Sequence, residues 1–232
     1  MENTWTTLQI DQIGKTLAST LGDLRSLYAR VHYAETGSLP EGISREDLVG
    51  EVKLEQGDIS EEELFMDGLN GVYLGLDYAW TTRFIDMEKA EEEGGLAFRV
   101  AHPTDGIFAA LVPDAILGRD ESVKFTDKPV SLTPIRMALR IASEKLASLV
   151  CRIAQLPEEK EIEVVKDANE TCVRTQIVPY DENDFAKRLY QVYTYVNMAW
   201  NSRFDETPVS SPEEMQRRCK FPKEIHRNWE QQ

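Results

Sequence analysis

Residues 69–84 read LNGVYLGLDYAWTTRF, and residues 189–204 read LYQVYTYVNMAWNSRF. Aligned without gaps, the two stretches are identical at seven of sixteen positions: Leu69/Leu189, Val72/Val192, Tyr73/Tyr193, Ala79/Ala199, Trp80/Trp200, Arg83/Arg203 and Phe84/Phe204. Phe65 and Phe185 extend the match at the same offset. The chain has only four tryptophans, and two of them coincide, which lifts the match above ordinary resemblance between apolar helices. The matched residues recur at three-and-four spacing, so each set occupies one face of a helix.

Working outward, each copy is preceded by another long helical pattern. Leu8, Ile10, Ile13, Leu17, Leu21, Leu24, Tyr28 and Val31 predict a helix over 8–34, stopped by Gly37 and Pro40. A second helix is expected from Ser60, whose hydroxyl would cap it, with Glu61, Glu62 and Glu63 at the positive end of its dipole. The third begins near Thr133-Pro134, with Thr as cap and Pro at the first helical position, and shows the face Ile135, Leu139, Ala142, Leu146, Leu149 and Ile153. The fourth opens at Asp181. Leu-Pro-Glu stands after the first helix of each pair, at 39–41 and 156–158, and a polar linker of similar length follows. The pattern describes a helix–linker–helix unit written twice.

Neither helix pair can bury its apolar face alone. Packed together, they predict a mainly α fold with a pseudo-symmetric four-helix core. The expected organisation is a single domain over 1–232, with repeat 1 at about 8–93, a connector at about 94–130, repeat 2 at about 131–206 and a tail at 207–232. Minor β structure is expected as a short strand near 96–101 (LAFRVA) and a hairpin near 161–178, where β-branched runs flank the polar DANE.

Hydrophobic residues make up 41% and charged residues 29%, the balance of a soluble globular chain rather than a disordered one. No apolar run approaches a membrane span, and MENTWTTLQI lacks the basic start and apolar stretch of a secretory signal, so a cytoplasmic location is expected. The formal net charge of −15 argues against a nucleic-acid partner, since phosphate binding needs a basic surface. The acids cluster. Ten lie between Glu35 and Glu63 against only Arg45 and Lys53. A surface of one sign attracts partners of the other.

Catalytic signatures are missing. Cys151, Cys172 and Cys219 are widely spaced and odd in number, so they read as reduced thiols packed as small apolar groups. His32, His102 and His226 stand on separate segments, and no metal or cofactor is expected. No phosphate-binding glycine loop and no nucleophile elbow occurs. Arg25 and His32 frame the octet RSLYARVH, which resembles the Arg-x4–6-His spacing of the helical HEPN ribonucleases. The resemblance covers eight residues of an acidic chain, and no activity is carried over from it.

The expected role is therefore a non-catalytic interaction protein, of an inhibitor or immunity type, that binds a basic protein partner. The alternative is a small-molecule binder or unrecognised hydrolase with a pocket between the second and fourth helices. Its lining would be Asp77, Trp80 and Arg83 with their counterparts Asn197, Trp200 and Arg203. A third reading is an architectural subunit whose aromatic face makes a homodimer.

Overall fold

The computed structural model describes residues 4–5, 7–49, 54–57, 62–82, 131–155, 161–167, 170–175, 178–179 and 182–204. Four helices dominate: α1 (Thr7–Thr36), α2 (Glu62–Thr81), α3 (Leu132–Ala154) and α4 (Glu182–Phe204). The protein is mainly helical, as the spacing of apolar residues requires. The expected strand near 96–101, the Ser60 cap and the Asp181 start fall outside the described residues. Away from the helices, Glu161–Asp167 pairs antiparallel with Glu170–Thr175, and Thr4–Trp5 pairs antiparallel with Val178–Pro179.

The helices form a ring in which α1 touches α2 and α3, and α4 touches α3 and α2. Every neighbouring pair runs antiparallel. Thr20 and Leu27 of α1 face Gly75 and Gly68 of α2 respectively. Gly14 near the start of α1 faces Ile153 near the end of α3, while Glu35 at the end of α1 takes Thr133 and Arg136 at the start of α3. Arg152 of α3 bonds Asp184 of α4 at 2.9 Å, and Lys145 donates to Gln191 at 3.1 Å. Fifty positions separate Thr81 of α2 from Leu132 of α3.

Most of the residues that the periodicity selects are buried, while Ile10 and Tyr28 are only partly so. Ile13, Leu17, Leu24 and Val31 of α1 lose all exposure, as do Phe65, Leu69, Val72, Tyr73 and Leu76 of α2. Ile135, Leu139, Ala142, Leu146 and Leu149 of α3, and Phe185, Leu189, Val192, Tyr193 and Val196 of α4, complete one continuous core. Truncating any of the larger ones to Ala would cost about 2–5 kcal/mol through lost burial and the cavity left behind.

The α1–α2 seam is closed by glycine. A Cβ on Gly75 would lie 2.0 Å from Thr20 Oγ1, and one on Gly68 would lie 2.6 Å from a Leu27 methyl. The two backbones therefore approach more closely than any larger residue permits. Thr20 is itself accommodated because its hydroxyl donates to Thr16 O at 2.8 Å, one turn back. Ser143 and Thr194 bond back in the same way to Leu139 O and Tyr190 O.

One expectation about a helix start is corrected. Thr133 does not cap α3. The helix begins at Leu132 with Ser131 in the cap position, and the Thr133 hydroxyl instead donates to the Glu35 carboxylate on α1. An inter-helix acceptor displaced the local one.

Candidate functional site

Positions i, i+4 and i+7 of a helix lie on one stripe. On α2 that stripe carries Tyr73, Asp77 and Trp80; on α4 it carries Tyr193, Asn197 and Trp200. Both stripes face the seam between the two helices. Asp77 is 1% exposed, Asn197 2%, Trp80 3% and Trp200 5%. Side chains this deep stay only if their polar atoms are satisfied.

The centre of the seam is a tyrosine pair. The rings of Tyr73 and Tyr193 lie 6.0 Å apart, centre to centre, at 35°. The Tyr73 hydroxyl donates to Asn197 Oδ1. Burial pushes the Tyr193 phenol well above its usual range, and the negative charge of Asp77 and the neighbouring Tyr73 push it further the same way. A phenol held so firmly in its protonated form is a hydrogen-bond donor, not a base. Further along, Trp80 lies nearly parallel to Phe185, 6.3 Å between centroids.

Because α2 and α4 are antiparallel, the two stripes converge at the tyrosines and then diverge. Asp77 and Asn197 stay close to the pair. Trp80 and Trp200 each stand seven residues beyond their tyrosine, about 10 Å along the helix and in opposite directions. Arg203 is buried in the last turn of α4, where a cation favours the negative end of the helix dipole. Arg83 lies outside the described residues.

The remaining candidates sit elsewhere. His32 is half-buried on α1, edge-on to Tyr28, with Nδ1 2.9 Å from Ser38 O and 3.2 Å from Thr36 Oγ1. Arg25 is exposed two turns earlier. Cys151 is exposed on α3 rather than packed, which corrects the expectation for that thiol. His102, His226 and Cys219 lie outside the described residues. Among the described residues no group of three His, Cys, Asp or Glu could hold a metal ion, and no helix is long and apolar enough to cross a membrane.

The acidic linker has a defined course over its described residues. Gly37 and Gly57, both with positive φ, send their N–H groups to Tyr33 O and Ala34 O, each at 2.7 Å, closing the end of α1. Between them the chain runs back along α1 until Val49 N donates to Ser26 Oγ at 2.8 Å. A single 3-10 turn, Arg45–Asp47, is held by the Asp47 carboxylate, which accepts from both Ser44 N and Ser44 Oγ at 2.7 Å. Those two bonds, Ser44 Oγ first, lower the Asp47 carboxyl below its ordinary range. Glu41, Glu46, Asp47 and Glu55 are all exposed on this loop.

Sequence reasoning missed two contacts. The tie between Glu35 and Arg136 has no local signal, since its partners stand 101 residues apart. The Tyr73–Asn197 bond had one: both residues fall at matched positions of the two aligned stretches. The chain matches no protein-family model, and comparison with curated proteins and with solved structures gives no match either.

Proposed function

We propose that this protein is a non-catalytic, cytoplasmic interaction protein that presents an acidic surface to a basic protein partner. The observation that carries the reading is the linker between α1 and α2. Among its described residues the carboxylates of Glu41, Glu46, Asp47 and Glu55 are exposed, and its backbone is tied to α1 at Ser26 and at Ala34. Charges on a pinned loop are preorganised, so a partner loses less entropy in meeting them than it would on a mobile tail.

The scaffold beneath it we read as one helix–linker–helix unit used twice. Supporting this are the contacts across the α2–α4 seam: Tyr73 meets its own counterpart Tyr193, and each tyrosine lies beside the Asp or Asn of the other half. In this reading the seam residues Asp77, Trp80, Asn197, Trp200 and Arg203 serve the fold, and recognition belongs to the loop.

The test is capture of binding proteins on the immobilised chain at increasing salt. Basic partners should be released between about 0.1 and 0.5 M salt, because screening shortens the reach of surface charge to a few ångströms. A chain with Glu41→Lys, Glu46→Lys and Glu55→Lys should melt like the parent and capture nothing. Capture that survives both salt and charge reversal would sink the proposal.

A further inference from the structure

At the centre of the α2–α4 seam, the tyrosine and the Asp or Asn position of one half meet those of the other. Tyr73 of the first half donates to Asn197 of the second. With the antiparallel register fixed by that bond and by the tyrosine pair, the equivalent position on the first half, Asp77, is buried on the same stripe toward Tyr193. An interface between identical partners has this form, residue i on j and j on i. Yet the residues at the matched places differ: one is a carboxylate, the other an amide. In a seam made from two first halves, two carboxylates would stand beside the tyrosine pair. Both would be shut away from water, where like charges repel most strongly.

We propose that Asp77 and Asn197 form a pairing code. The seam accepts one carboxylate and one amide, in either order, and the code directs a first half to a second half rather than to the first half of another copy. Both residues are almost wholly buried, so water cannot screen the difference. The inference rests on the duplicated-unit reading given above.

The experiment compares four full-length chains: the parent, Asn197→Asp, Asp77→Asn and the double exchange. Asn197→Asp puts two carboxylates in one seam and should lower the Tm by about 10 °C or more. The double exchange, with the carboxylate moved across, should return to within about 3 °C of the parent. If Asn197→Asp melts with the parent while the double exchange also folds, the code is wrong and the duplication stands. If Asn197→Asp is destabilised and the exchange does not rescue it, the two positions are not equivalent and the duplication itself fails. Should Asn197→Asp not fold alone, it is refolded together with Asp77→Asn. The code then expects a mixed dimer by native mass spectrometry, each seam holding one carboxylate. Recovery of Asp77→Asn alone would overturn it.

Discussion

Tyr73 and Asn197 stand 124 positions apart, and the hydroxyl of the first donates to the side-chain oxygen of the second in the middle of the core. Neither group has access to water. Tyr73→Phe keeps the ring and deletes the donor, leaving that oxygen buried without this bond. The cost is expected at about 1–3 kcal/mol, the penalty for orphaning a buried polar group. In urea the midpoint should fall while the slope stays the same, because the surface exposed on unfolding is unchanged. A midpoint equal to the parent's would mean that the bond contributes nothing net.

Two glycines on α2 make a paired prediction. Gly71 has nothing within 4 Å of a Cβ, and its position is exposed. Gly71→Ala should therefore stabilise the protein by about 0.5–1 kcal/mol, the helix propensity difference alone. Gly75→Ala gains the same propensity but drives a methyl into Thr20, 2.0 Å away. Overpacking of this kind costs about 1–3 kcal/mol and reverses the sign. Thermal melts of the two variants should move in opposite directions.

The helices were legible because their signal is local. Leu17, Leu21, Leu24 and Val31, or Leu139, Leu146 and Ile153, announce a buried face by spacing alone, and each of them is buried. What periodicity cannot encode is which face meets which. The divergence of Trp80 from Trp200 follows from the antiparallel crossing of α2 and α4, a relation no window of sequence contains. The same holds for Thr133, whose local environment reads as a cap but whose hydroxyl goes to Glu35, 98 positions earlier. The candidate site was legible as a list of matched residues. That Asp77, Trp80, Asn197, Trp200 and Arg203 are buried, and that the acidic linker is tied down at Ser26, needed the three-dimensional structure.

Glu35 ties the end of α1 to the start of α3. Its carboxyl is held below the usual range first by the Thr133 hydroxyl and then by Arg136, with burial working against them and His32 adding a little. A carboxylate whose pKa is lower in the folded state contributes stability that is present above its unfolded pKa of about 4.3 and lost as pH falls through the folded value. Asp184, lowered by Arg188 and Arg152, behaves in the same sense. Stability should therefore fall on acidification below about pH 4.5. Glu35→Gln should flatten that limb and cost about 1 kcal/mol or less at pH 7, since Glu35 keeps part of its exposure to water. An acid limb as steep as the parent's would show that the tie is not charge-based.

Trp80 and Phe185 stack within 6° of parallel, one from each half. Aromatic pairs of this kind add about 0.5–1.5 kcal/mol beyond the area they bury. Trp80→Leu and Phe185→Leu keep the seam apolar, so the chain should remain folded, and a double-mutant cycle should return coupling of that size. The same variants separate core from site. If the seam serves only the fold, Trp80→Leu lowers the Tm but leaves capture of a basic partner unchanged at temperatures where the protein stays folded. Loss of capture with the fold intact would move the binding surface from the acidic linker to the α2–α4 seam.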